Sequence, residues 1–249
     1  MMNKIIQSAV SLALLFSASL VLAADINIAV ASNFTAAAKA LASDFETRHG
    51  YAVRLSFGST GKLYTQIYNG APFAVFLAAD EQRPQRATRE GLAVEASRFT
   101  YALGKIALWS AASESAEALN QRLQQGHYRR IALANPKLAP YGAAAQQAIE
   151  ELAEDKGIGK MVYGENIAQT HQFVATGNAD LGIVALAQLT GGGAAADYWV
   201  VPEHLYTPIR QQAVLLNKGI DSIEALAFMA YLKQPEAQSI IERHGYGIE

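Results

Sequence analysis

Residues 26–61 read INIAVASNFTAAAKALASDFETRHGYAVRLSFGSTG. Positions 26–30 are a short apolar run with β-branched residues, the pattern of a buried strand. Ser32 and Asn33 follow at once. Phe34, Ala38, Leu41 and Phe45 then recur at helical spacing, so Ser32 or Asn33 is expected to cap a helix. Gly50 closes that helix. Residues 53–57 form the next strand and run straight into Gly58-Ser59-Thr60-Gly61. Leu63, Tyr64, Ile67 and Tyr68 open a second helical pattern there. Two strands thus end in hydroxyl-rich turns that each start a helix. In a parallel α/β sheet such turns lie at the carboxyl edge, where ligands bind. Helix N-termini there offer unpaired N–H groups and partial positive charge, which suits an anion.

The chain has 249 residues, of which 51% are hydrophobic, enough for one large domain or two of ordinary size. Residues 1–24 carry Lys4, an apolar stretch over 9–22, and small residues that allow cleavage after Ala23 or Ala24. They are expected to be a secretory signal peptide, since the run is short for a membrane span. The expectation is therefore an exported protein in the periplasm. The chain has no Cys, so no disulfide holds it. Its formal net charge is −2 and becomes −3 without the signal segment. Charges of both signs are scattered, which speaks against nucleic-acid binding. A net-negative protein that captures an anion must use local dipoles.

Further along, residues 73–78 are a strand, 81–90 a surface helix, and 99–109 a long extended stretch interrupted by Gly104-Lys105. A helix over 113–125 turns Leu119 and Leu123 inward. The pattern then repeats. The strand 130–134 leads into Asn135-Pro136-Lys137-Leu138-Ala139-Pro140-Tyr141-Gly142 and a helix to Leu152. A short strand at 161–163 leads into Gly164-Glu165-Asn166 and a helix over 167–176. Residues 180–187 and 198–201 are strands, 191–193 a glycine loop, and 211–216 a strand that returns. Asp221 or Ser222 caps a helix, and Pro235 starts the last one. Alternation of strands and helices argues for parallel sheets. Two such clusters joined by extended crossings argue for two lobes. Residues 25–104 and 211–249 form lobe one, discontinuous in sequence, and residues 105–210 form lobe two.

Enzymatic signatures fail on spacing. Gly58-Ser59-Thr60-Gly61-Lys62 has Ser56 and Leu63 where a phosphate loop needs Gly and Ser or Thr. Gly157-Ile158-Gly159 lacks the third glycine of a dinucleotide fingerprint. There is no G-x-S-x-G elbow, and the histidines at 49, 127, 171, 204 and 244 have no metal-ligand spacing. His171, like the Tyr64 and Tyr68 pair, reads as packing. What remains is a set of strand-to-helix turns carrying Ser32/Asn33, Ser59/Thr60, Tyr141 and Asn166/Ile167. Any one is explained as a helix cap. Together, in two lobes, they favour an oxyanion site.

The segments VASNF, FGSTGKLYTQIYNGAPFAVFLAADE, SRFTYALGKIALWS, NPKLAPYG and NADLGIVALAQ resemble the periplasmic molybdate-binding proteins of molybdate ABC importers, the ModA family. The resemblance spans nearly the whole chain after residue 24. It implies a two-lobed class II periplasmic-binding fold, α/β with mixed sheets flanked by helices, and a ligand in the inter-lobe cleft. It implies a monomeric receptor, not an enzyme. Such a receptor holds molybdate or tungstate without cofactor or free metal cation and delivers it to an inner-membrane ABC permease. Carried over residue by residue, it implies Ser32 and Asn33 at the first turn, Ser59 and Thr60 at the second, Tyr141 after the NP block, and Ile167 through its backbone N–H. Many relatives have a ligand Tyr directly after LGIV, where this chain has Ala185. The implied replacement is the Tyr141 hydroxyl, reaching in from the other side. The rival functions are a receptor for sulfate, thiosulfate or phosphate and, more remotely, an exported phosphate- or sulfate-ester hydrolase. The second lacks any visible nucleophile with its base.

Overall fold

The computed structural model describes residues 25–154, 159–190 and 197–249. The expected signal peptide, Gly157-Ile158 and the Gly191-Gly192-Gly193 loop lie outside the described residues.

Strand β1 (Asp25–Ala31) pairs in parallel with β2 (Ala52–Gly58) and with β3 (Val75–Leu77). Between them run α1 (Thr35–His49) and α2 (Thr60–Tyr68), and α3 (Gln82–Arg89) follows β3. Strand β4 (Phe99–Gly104) ends at the glycine that interrupts the extended stretch, and β5 (Ile106–Trp109) starts a different sheet. Then come α4 (Ala116–Gln124), β6 (Ile131–Ala134), α5 (Pro140–Leu152), β7 (Met161–Gly164), α6 (Ile167–Ala175), β8 (Leu181–Ala185), α7 (Leu186–Thr190) and β9 (Tyr198–Val200). Strand β10 (Ile209–Leu215) returns to the first sheet, and α8 (Ile223–Tyr231) and α9 (Pro235–Arg243) pack on it.

The two sheets have orders β2-β1-β3-β10-β4 and β7-β6-β8-β5-β9. The orders match position by position, so β1 corresponds to β6 and β2 to β7. In each sheet one strand runs against the rest. Strand β10 is antiparallel to β3 and β4, and β5 is antiparallel to β8 and β9. The sheets are therefore mixed, not purely parallel as helix–strand alternation suggests. The antiparallel strand in each is the one the chain enters by crossing between sheets.

Two local expectations are corrected. Ser32 and Asn33 do not cap α1. They form a 3-10 turn, Ser32–Phe34, and no side chain caps the helix that follows. The strand expected over 180–187 stops at Ala185, and Ala187 is helical. The Leu186 N–H still donates to Lys105 O at 2.9 Å, the next rung beyond Ala185 and Ile106, and the chain turns into α7 there. A short apolar run reads the same as strand or buried helix, so its composition cannot mark this end.

Buried apolar residues form separate clusters behind the turns. Ile26, Ile28, Val30, Phe34, Leu41 and Phe45 are buried in the first lobe-sized cluster, and Ile106, Leu108, Ile131, Leu133, Ile149 and Ile183 in the second. Gly50 takes φ +73° at the end of α1 and donates to Glu46 O, a left-handed cap that only glycine adopts freely. Of the tyrosine pair on α2, Tyr64 is buried and donates to Glu90 while Tyr68 is exposed, so the two do not act as a pair. His171 stacks on Trp109 with ring centroids 4.6 Å apart.

Candidate functional site

The carboxyl ends of β1, β2, β6 and β7 face one another across the gap between the sheets. Each is followed by the turn that opens a helix. Between these turns lies a cavity lined by Ala31, Ser32, Asn33, Gly58, Ser59, Thr60, Ala79, Ala139, Pro140, Tyr141 and Ile167. Its interior, measured to the centre of a water-sized sphere, is about 10 Å³. That is room for one small group, not for a sugar, a peptide or a nucleotide. All six residues that the resemblance carries over (Ser32, Asn33, Ser59, Thr60, Tyr141 and Ile167) line it, and Asn166 of the fourth turn does not. None of the lining residues carries a charge.

Each wall offers donors for a local reason. Ser59 precedes the first residue of α2, and its Oγ is buried with no hydrogen-bond partner. A buried hydroxyl without a partner is costly unless something else completes it. Thr60 Oγ1 accepts from Ala79 N at 3.2 Å, which leaves its proton free to donate. Pro140 occupies the first turn of α5, so Tyr141 carries one of the first backbone amides without a partner inside that helix. Ile167 starts α6 in the same way, with Asn166 as the N-cap accepting from Gln169 N at 3.0 Å. Three helices therefore direct their positive ends at a single point.

The Tyr141 hydroxyl, which the resemblance implies as a donor to the anion, meets other residues as well. It points towards the crossing, where it packs against Gly104. There it accepts from Asn33 Nδ2 at 3.3 Å. Ala185 is fully buried in the same apolar cluster as Tyr141. Burial pushes the Tyr141 hydroxyl well above the ordinary tyrosine range, so it stays protonated at any physiological pH. The Asn33 side-chain N–H groups go to Gln211 Oε1 at 2.6 Å and to the Tyr246 and Tyr141 hydroxyls, and its backbone carbonyl accepts from the Tyr246 hydroxyl at 2.7 Å. Gln211 and Tyr246 did not emerge from the sequence. The available signals were a pair of amides inside an otherwise apolar strand and a tyrosine between Gly245 and Gly247.

The basic residues near the site are engaged elsewhere. Lys62 on α2 pairs with Glu165 just before α6, across the gap. Lys105 pairs with Glu203 at 2.6 Å. Arg83 is held by Asp80 and donates from Nη2 to Lys137 O at 3.1 Å, again across the gap. The Gly61 N–H donates to Leu138 O at 2.9 Å. A Cβ at Gly61 would come within 3.1 Å of that same oxygen, so glycine permits the close approach of the two sides. These contacts bridge the two sides of the cavity. Among the described residues there is no cluster of His, Cys, Asp or Glu suited to a metal ion.

Comparison with known proteins agrees with this geometry. The family model described as bacterial extracellular solute-binding protein matches residues 26–247. The molybdate-binding protein ModA of Azotobacter vinelandii is 50% identical over 91% of this chain and 91% of its own length. ModA of Rhodobacter capsulatus is 44% identical over 97% of this chain and 96% of its own. A solved structure, the periplasmic molybdate-binding protein of Azotobacter vinelandii, superposes with a TM-score of 0.84 at 38% identity, covering 90% of this chain and 99% of that one.

Proposed function

The chain belongs to the bacterial extracellular solute-binding proteins, within them to the molybdate-binding ModA family, and on that premise we propose that it captures molybdate, and tungstate equally, for delivery to an inner-membrane ABC permease. The observation that carries this reading is the small cavity walled by uncharged residues, with the unpaired Ser59 Oγ among them. A dianion surrounded by N–H and O–H dipoles is satisfied without the desolvation of a buried counter-charge. Ser32, Asn33, Ser59, Thr60, Tyr141 and Ile167 are the proposed ligand-binding residues. Ser59 and Thr60 would donate hydroxyl protons, and Tyr141 and Ile167 backbone N–H groups at helix starts.

A ring of donors fixed by three helices selects by size. Sulfate has shorter bonds to oxygen than molybdate and would leave some donors unmet. Tungstate is nearly isosteric with molybdate and would not. In this reading each sheet is the core of one lobe, residues 25–104 and 211–249 against 105–210. The lobes close about the crossings after Gly104 and before Ile209, and closure creates the face that a permease recognises. The protein works as a monomer in the periplasm, reached by cleavage of the signal segment after Ala23 or Ala24.

Isothermal calorimetry on ligand-stripped protein tests this. The expected result is one site for molybdate, the same site for tungstate within a few-fold, and no heat from sulfate at the same concentrations. Equal affinity for sulfate would replace this reading with a general oxyanion receptor.

A further inference from the structure

Four polar side chains meet where the crossing leaves the first sheet, and none of the cavity's donors explains why. Asn33 is 5% exposed and Gln211 fully buried. Gln211 lies at a break in the β10–β4 register, between itself and Gln212. Such an irregularity turns a side chain away from the regular alternation and is typical beside functional sites. Here it brings Gln211 Oε1 to 2.6 Å from Asn33 Nδ2. Tyr246 arrives from the opposite end of the chain. Its neighbour Gly247 is paired with Leu103 on β4, by bonds of 2.8 and 3.0 Å, immediately before Gly104. That pairing straps the C-terminal tail onto the crossing. The Tyr246 hydroxyl donates to Asn33 O at 2.7 Å and accepts from Asn33 Nδ2 at 3.2 Å. Its ring meets Phe34 edge-on at 5.0 Å. Asn33 is thus gripped at its carbonyl and at its amide. The one member from the second sheet's side is Tyr141, whose hydroxyl lies 3.3 Å from Asn33 Nδ2.

We infer that Gln211 and Tyr246 are positioning residues: they hold Asn33 so that its amide receives Tyr141 when the two sheets close, which couples seating of α5 at the anion to closure at the crossing. Neither residue lines the cavity. The inference rests on the reading of the cavity as the molybdate site. Physically, the coupling follows from sharing. Asn33 Nδ2 has two hydrogens, and Gln211 holds one. The remaining hydrogen faces the Tyr246 and Tyr141 oxygens, and Tyr246 spends its own proton on the Asn33 carbonyl. Removal of one hydroxyl therefore changes what the other can do, so the effects of the two cannot be independent.

The test uses the mature protein with Tyr246→Phe, Tyr141→Phe and both together. Molybdate dissociation is followed by stopped-flow fluorescence, with the ligand-free Tm of each variant as a control. Tyr246→Phe keeps the ring on Phe34 and is expected to raise the dissociation rate about tenfold, with association changed less than threefold. The double variant is expected to dissociate no more than about twice as fast as the faster single one. Gln211→Met, which also removes a buried nitrogen without a partner, is expected to reproduce the faster dissociation and serves if Tyr246→Phe fails to fold. Dissociation unchanged in Tyr246→Phe and Gln211→Met, or single effects that multiply in the double variant, would overturn the proposal while leaving the molybdate reading intact. Failure of the parent protein to bind molybdate would remove both.

Discussion

Replacement of Ser59 by Ala separates a donor to the anion from an ordinary structural hydroxyl, because the two predict opposite signs. Ser59 is 2% exposed and its Oγ has no partner within the protein. In a structural role its loss would weaken the ligand-free fold by about 0.5–1.5 kcal/mol, the net value of a typical hydrogen bond. The structure has no such bond to lose. Removal of an unsatisfied buried hydroxyl instead leaves the ligand-free protein as stable as before or more so. With the anion bound, the same substitution removes a hydrogen bond to a charged group, about 1.5–3 kcal/mol. At about 1.4 kcal/mol per tenfold, Kd for molybdate should rise roughly 12- to 140-fold. At a fixed ligand concentration above both Kd values, the stabilisation by ligand falls by the same free energy. For a chain of this length, about 2–4 °C per kcal/mol, the molybdate-induced rise in Tm should shrink by roughly 3–12 °C. Differential scanning fluorimetry with and without molybdate reads both quantities in one experiment. A variant with a lower ligand-free Tm and an undiminished molybdate shift would refute the argument, since it would give Ser59 a partner inside the fold and none in the ligand.

Molybdate at a hundred times its Kd should stabilise the parent protein by about 2.7 kcal/mol, a Tm rise of roughly 5–11 °C, with tungstate alike and sulfate nearly silent at equal ionic strength; equal shifts from sulfate would defeat the size argument. Lys62→Ala should change molybdate affinity by less than about 1 kcal/mol, because the pair it makes with Glu165 is between side chains about half exposed; a loss of several kcal/mol in titration would place a cation against the anion. Gly104→Ala should weaken binding about 5- to 140-fold, because a Cβ there would overlap the Tyr141 hydroxyl and lie 2.9 Å from its Cζ, overpacking that costs about 1–3 kcal/mol; calorimetry at parental affinity would show that Tyr141 is free to move. Burial beside Trp109 holds His171 below its ordinary 6.5, so the unfolded chain binds this proton more readily than the folded one. That contribution is fully present above pH 6.5 and is lost as pH falls below it. Urea midpoints at pH 7.5 and 5.5 should therefore converge in His171→Phe, and an unchanged difference would assign the acid sensitivity to other groups.

The sequence by itself determined whatever is local. Apolar runs, glycine stops and a proline at a helix start mark β1, α1, β2, α2, α5 and α9 to within a few residues, because each depends on neighbours along the chain. The turns that wall the cavity were legible for the same reason: a small hydroxyl residue or a proline just before a helical pattern announces a helix N-terminus wherever the chain goes next. Tertiary structure decided which groups those turns aim at the cavity. Asn33 looks like a helix cap, yet its amide is taken by Gln211 and Tyr246, 178 and 213 residues away. Tyr141 looks like a hydroxyl donor to the anion, and folding also sets that hydroxyl 3.3 Å from Asn33 Nδ2, beside Gly104. Side-chain hydrogen bonds go to the partner that folding brings nearest. Once several polar groups compete in one buried volume, the outcome depends on how the two sheets face each other, which no stretch of sequence carries alone.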